Sequence, residues 1–262
     1  MFLACLDGAV LPAAEARVPA TDPGLLRGDG VFEVVRLYDG RPFAFDEHLD
    51  RMRRSARNLR LPFDPEEFRP DVAGLLEAAG HPDALLRLVA TRGGRRLALI
   101  EPLPDHPPSV RLAAVTYAPP RLLDGIKSLS YAANMLATRL AQERGCDEAL
   151  LVTPHGRVLE GPTSTLFYVS GGELLTPPLD DHVLDSITRR LILQDCRGRE
   201  APCSLDDLRR ADEAFLASTV REVQPIAAVE DGELPAQGPR TREAAEAFAR
   251  RVREAGASGA AA

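Results

Sequence analysis

Apolar positions along the chain gather into short β-branched runs separated by a few stretches of helical period. MFLACLDGAVLP reads as strand, Asp-Gly turn and strand, and Val31–Tyr38 as a strand closed by an Asp39-Gly40 hairpin turn. Leu49, Met52, Ala56 and Leu59 recur at helical spacing behind Asp46, the expected cap, and a second helix covers Pro65–Gly80. A hairpin follows, with strands near Ala84–Thr91 and Arg95–Glu101, and SVRLAAVTYAPP is a further strand running into a linker at Ala118–Asp124.

The second half repeats the alternation. A helix starts at Ser130, with Leu136, Ala137 and Leu140 on one side. DEALLVT and RVLEG are strands around a PHG turn, and the second carries Glu160. STLFYVSGGELLTPPL gives two short strands and Ser186–Cys196 a helix. EAFLAST and REVQPIAAVED are strands, Thr241–Ala255 is a closing amphipathic helix, and the tail ASGAAA is expected to be disordered. The pattern is α+β. A chain of 262 residues suits two domains, set here at 1–117 and 125–262 with 118–124 as linker.

Net charge of -7 argues against a nucleic-acid partner, whose phosphates call for a basic surface. No apolar run approaches the roughly 20 residues of a membrane span, and MFLACLDG lacks the charged and apolar regions of a signal peptide. Cys5, Cys146, Cys196 and Cys203 show no CxxC spacing, so free thiols in a reducing cytoplasm are expected. The five histidines lack zinc-ligand spacing, and no metal site is expected.

One residue changes this picture. Lys127 is the single lysine beside 31 arginines. Arginine serves for solvation and most ion pairs, but it cannot lose its proton and attack a carbonyl. A lone lysine in an arginine-rich chain is therefore a candidate Schiff-base nucleophile. Gly28 and Gly30 flank Asp29 ahead of the first long strand, where they admit a positive φ or a close backbone approach.

The motifs KSLSYAAN, RVLEGPTST, SITR and ASTVREV occur in the order found in fold-type IV pyridoxal-phosphate enzymes, the class IV aminotransferases, and the chain resembles them from GDGVFEVVR onward. The resemblance implies a two-domain, D-amino-acid-aminotransferase-like architecture, pyridoxal 5'-phosphate as cofactor and a homodimer. It makes Lys127 the cofactor-binding lysine, with Tyr131 near the phenolic oxygen, Asn134 as the motif's asparagine and Glu160 at the pyridine nitrogen. Ser164-Thr165 stands where the family has Ser-Asn. Ile187 and Thr188 would offer backbone N–H groups to the phosphate at a helix N-terminus. Ser218 and Thr219 form the second phosphate contact, and EHLDRM singles out Arg51 among its neighbours for the same anion.

Phe32, Arg27 and Arg92 are placed on the substrate side, the two arginines as a fork for the α-carboxylate or as partners of structural acids. EVVRLYDG is close to D-amino-acid transaminases, and FEVVR departs from the FEGIR of branched-chain enzymes. The implied activity is amino transfer between a D-amino acid and a 2-oxo acid, with (R)-amines as a side activity. The alternative is 4-amino-4-deoxychorismate lyase, whose catalytic set is the same. A branched-chain L-aminotransferase and a non-catalytic cofactor-binding protein come further behind.

Overall fold

The β-branched runs of the first hundred residues become a six-stranded antiparallel sheet of order β2-β1-β6-β5-β3-β4. Its strands are β1 Leu3–Leu6, β2 Ala9–Pro12, β3 Gly30–Tyr38, β4 Arg41–Pro42, β5 Ala84–Thr91 and β6 Arg96–Glu101. The structure is a computed structural model that describes residues 2–235 and 237–258. It divides into two units. One takes the described residues of Met1–Pro104, Gly125–Tyr131 and Ala255–Ala262; the other takes Asp105–Asp124 and Ala132–Glu254. Packing rather than chain order sets this partition. The Lys127 stretch, which chain order assigns to 125–262, lies in the first unit because its backbone pairs with β3.

Three helices, α1 Pro23–Arg27, α2 Phe45–Asn58 and α3 Phe68–Ala79, complete the first unit. Leu49, Met52 and Ala56 of α2 and Phe68, Val72 and Leu75 of α3 enter one core with Val31, Val35, Leu86 and Leu88 of the sheet. On α2 the 3.6-residue period thus reads the buried face correctly. The α2 cap does not follow the sequence. Ala44 occupies the N-cap in a left-handed conformation, and Asp46 sits inside the first turn, 2.7 Å from Arg69. An acid there still complements the helix dipole. The short α1 escapes the pattern because five residues carry no period. Asp22 caps it by accepting from the Gly24 N–H at 2.7 Å, and its other oxygen accepts from Thr91 Oγ1 at 2.7 Å.

The second unit carries β7 Val110–Thr116, β8 Glu148–Val152, β9 Arg157–Val158, β10 Thr165–Ser170, β11 Glu173–Thr176, β12 Arg199–Glu200, β13 Cys203–Ser204, β14 Glu213–Ser218, β15 Glu222–Val229 and β16 Gly232–Glu233. Their order is β12-β11-β10-β14-β15-β7-β8-β9-β13, with β16 on β15. β7 runs parallel to β15 and β8. All five residues of β8 are buried, as parallel strands covered on both faces require. The helices are α4 Ala132–Glu143, α5 Ile187–Asp195, α6 Leu205–Arg209 and α7 Pro239–Ser258.

On α4 the buried side is Ala137 and Ala141, whereas Leu136 and Leu140 are exposed. Small side chains bring the helix close to Ala113, Ala149 and Leu151. The tail expected to be disordered begins inside α7, which runs to Ser258, and its remainder lies outside the described residues. No helix among the described residues is long and apolar enough to cross a membrane.

Candidate active site

In the first unit, the site is built on the pairing of the lysine stretch with β3. The Phe32 N–H donates to the Lys127 carbonyl at 3.0 Å, and the Leu129 N–H to that of Gly30 at 2.9 Å. Gly30 is needed for this approach, since a Cβ there would stand 2.5 Å from the Ala90 carbonyl oxygen and 2.6 Å from Leu129. Gly28 ends α1 at φ 66°, the left-handed cap that glycine adopts without a Cβ clash. The Lys127 N–H donates to Ser55 Oγ of α2 at 3.1 Å.

These bonds fix the root of the side chain, and two rings fix its tip. Lys127 Nζ lies 4.4 Å from the Phe32 ring centroid and 5.3 Å from that of Tyr131. The rings meet edge to face, with centroids 5.1 Å apart. Cation–π attraction holds an ammonium over such faces. The structure therefore brings together Lys127, Phe32 and Tyr131.

Beneath them lies a charged cluster. His48, Arg51 and Ser55 share one face of α2, at spacings of three and four residues. Glu33 projects from β3 with no exposed surface. Its Oε1 accepts from Arg51 Nε at 2.7 Å, and its Oε2 accepts from Arg51 Nη2 at 2.6 Å and from His48 Nδ1 at 2.8 Å. Burial pushes the Glu33 carboxyl upward, but the Arg51 charge and the Arg51 and His48 hydrogen bonds reverse this and bring it down to about 2. Burial pulls His48 below its ordinary value despite Glu33. The imidazole is therefore neutral near pH 7 and donates through Nδ1 to an ionised carboxylate.

Acid weakens this cluster in a defined order. Both groups have folded values below their unfolded ones, so the unfolded chain binds more protons as pH falls and stability drops. The loss through His48 begins below 6.5, and the loss through Glu33 below 4.5. The Glu33 part amounts to about 1 kcal/mol by pH 4 and grows until pH 2. Urea unfolding at pH 7.5, 5.5 and 4 measures it. The His48→Asn variant should lose most of the decline between pH 7.5 and 5.5 and keep the decline below it.

The two arginines expected on the substrate side part company. The donors of Arg92 turn to its own chain: Nε to Asp29 at 2.5 Å, Nη1 to the Arg60 carbonyl at 3.0 Å and Nη2 to the Leu59 carbonyl at 2.9 Å. It ties the end of α2 to the GDG turn, the structural-acid alternative rather than a carboxylate fork. Arg27, in the last turn of α1, is exposed and has no side-chain hydrogen bond or ion pair among the described residues. A third arginine escaped the sequence reading. Arg87 of β5 lies 5.7 Å from the Phe32 ring centroid and donates from Nε to Glu101 at 2.8 Å. Glu33 and His48 also went unnoticed, although a glutamate amid the apolar GVFEVVRLY and a His-x-x-Arg on the next helix were signals in plain view.

In the second unit, Glu160 follows the two-residue β9 rather than lying in it. Its carboxylate accepts from the Leu184 N–H at 3.1 Å. Asn134 of α4 donates to the Pro162 carbonyl at 2.9 Å and steadies the loop that leads to Ser164 and Thr165. The hydroxyls of Ser164 and Thr165 are buried and meet no hydrogen-bond partner among the described residues. Buried hydroxyls without partners are costly, so these two sit ready for a ligand.

Ser186 caps α5 by accepting from the Arg189 N–H at 3.3 Å. Ile187 and Thr188, both buried, are left with N–H groups that have no intrahelical acceptor, an arrangement suited to an anion. At the end of β14, Ser218 Oγ accepts from the Arg221 N–H at 3.1 Å, which shapes the turn bearing Thr219. Arg221 itself donates to Glu148 and Gln224, each at 2.5 Å. Within the second unit a carboxylate, two hydroxyls without partners among the described residues and a helix N-terminus fit the ring nitrogen, ring substituents and phosphate of pyridoxal phosphate; within the first, the Lys127 amine fits its aldehyde. Among the described residues no group of three or more His, Cys, Asp or Glu is placed to hold a metal ion.

Residues 30–229 match the family Amino-transferase class IV. A Methanocaldococcus jannaschii protein, provisionally named a branched-chain-amino-acid aminotransferase, is 35% identical over 247 residues, covering 84% of this chain and 85% of its own. The D-alanine aminotransferase of Staphylococcus haemolyticus is 30% identical over 271 residues, covering 93% and 95%. Among solved structures, the 4-amino-4-deoxychorismate lyase of Pseudomonas aeruginosa superposes with a TM-score of 0.81 at 28% identity, over 93% of this chain and 97% of that one.

Proposed function

The chain belongs to the class IV aminotransferases, fold-type IV enzymes that use pyridoxal 5'-phosphate, and from that premise we propose that it moves an amino group between a D-amino acid of the D-alanine or D-glutamate type and a 2-oxo acid. One observation carries the choice. The strand that carries Phe32, the nearer of the two rings to Lys127 Nζ, continues as EVVRLYDG, a stretch close to that of D-amino-acid transaminases, with Val34-Val35 where the FEGIR of branched-chain enzymes has Gly-Ile. That departure supports a D-amino acid as the donor, in keeping with the D-alanine aminotransferase relative.

Pyridoxal phosphate supplies an electron sink for charge that develops at the substrate's α-carbon. In this reading Lys127 would hold the cofactor at its aldehyde end, and its free amine would carry the proton to and from the substrate's α-carbon. Glu160 holds a proton on the ring nitrogen. Tyr131, Ser164 and Thr165 orient the ring. Arg51, the N–H groups of Ile187 and Thr188, and the Ser218–Thr219 turn bind the phosphate. Arg27 and Arg87 are the cations offered to the substrate carboxylate. A homodimer working in the cytoplasm belongs to the same reading.

Purified enzyme is tested with D-alanine and with L-leucine, each with 2-oxoglutarate, and separately with 4-amino-4-deoxychorismate. Keto-acid product from D-alanine alone is the expected result. Transfer from L-leucine would favour the branched-chain activity, and release of 4-aminobenzoate and pyruvate without amino transfer would make the chain a lyase.

A further inference from the structure

We propose that Glu33, assisted by His48, is a positioning residue that aims Arg51 at the cofactor's phosphate. The inference rests on the reading above in which Arg51 binds that phosphate. The Arg51 guanidinium is held along one edge, Nε and Nη2, by the two oxygens of a single carboxylate at 2.7 and 2.6 Å. A planar fork gripped at two points cannot turn about its own axis, so the direction of its opposite edge is set by β3 rather than by the flexible arginine stem. His48 donates to Oε2 at 2.8 Å and stops the carboxylate from rotating away. All three side chains are buried, with Glu33 fully so. The same strand and helix hold the lysine: Phe32 and Ser55 bond the Lys127 backbone. One rigid pairing of β3 with α2 thus sets both the amine and the guanidinium.

Charge and geometry make opposite predictions here, which gives the test its edge. With Glu33 ionised and His48 neutral, the cluster carries no net charge. Replacing the carboxylate by an amide removes a negative charge beside Arg51, and Coulomb attraction alone would then tighten phosphate binding. Loss of positioning loosens it.

The test measures dissociation constants of apoprotein for pyridoxal phosphate and for pyridoxal, which lacks the phosphate, by absorbance titration. Thermal unfolding of each apoprotein is followed alongside. Glu33→Gln is expected to weaken pyridoxal phosphate binding by about tenfold, the scale of one charge-assisted hydrogen bond, and to leave pyridoxal nearly unchanged. Arg51→Ala should cut the preference for the phosphorylated form by at least as much, leaving the part that the Ile187 and Thr188 N–H groups and the Ser218–Thr219 turn supply, and the double variant should bind no worse than Arg51→Ala alone.

Tighter or unchanged binding of pyridoxal phosphate by Glu33→Gln, equal weakening of both ligands, or additive losses in the double variant would overturn the positioning role. Full preference for the phosphorylated form in Arg51→Ala would instead remove the reading of Arg51 on which the inference rests. If Glu33→Gln does not fold, Glu33→Asp, which keeps the charge but shortens the clamp, is judged by the same comparison.

Discussion

Replacing Lys127 by alanine should lower amino transfer by about 10⁴-fold or more, because one side chain serves as both nucleophile and proton carrier. The backbone around it should stay in place. The bonds from Phe32 to the Lys127 carbonyl and from the Lys127 N–H to Ser55 do not involve the side chain. Unfolding of the variant should therefore stay close to wild type, which separates loss of chemistry from loss of fold. Borohydride should fix the cofactor to the wild-type chain and not to the variant. Lys127→Arg should be as inactive as alanine, since a guanidinium stays protonated and is too broad for an amine's place between Phe32 and Tyr131. A small added amine should restore part of the activity to Lys127→Ala and none to Lys127→Arg. Wild-type rates in the alanine variant would refute the role of Lys127.

Why was this lysine legible in the sequence when much around it was not? Its signal was chemical, one amine among 31 guanidinium groups, and it needed no geometry. Strands β3 and β5 and the buried face of α2 were equally legible, because burial on one side of an element imposes a period. Three other features depended on contacts between residues distant in the chain. Arg92 presents the same side chain whether it meets a substrate or Asp29, 63 positions away. The short α1 is held by Asp22 and Thr91, 69 positions apart, and five residues leave no period to detect. On α4 the leucines suggested a buried face, yet alanines occupy it, because close approach to β8 favours volume over hydrophobicity.

Arg51 illustrates the division within one residue. Its motif pointed to an anion, and the structure gives it Glu33 as a bidentate partner. The two are compatible, since a guanidinium has five donors and Glu33 holds two atoms of the fork. No local pattern could have paired positions 33 and 51, because the pairing depends on how α2 lies along β3.

That pairing also sets the largest expected change in stability. Glu33→Ala should cost about 3–5 kcal/mol, the range for removing one partner of a buried ion pair. The cost would come mainly from the group left behind. Arg51 is only 5% exposed, so its guanidinium would lose the carboxylate that holds Nε and Nη2 with little water to replace it. Removing Arg51 as well should therefore recover most of the loss, and the double variant Glu33→Ala/Arg51→Ala should be more stable than Glu33→Ala alone. If the carboxylate merely filled space, the two changes would add and the double variant would be the least stable of the set. Urea unfolding of the two single variants and the double variant at pH 7.5 completes the cycle. At that pH the Glu33 carboxylate is ionised and His48 neutral, so the measured coupling belongs to the charged pair itself rather than to a change in protonation.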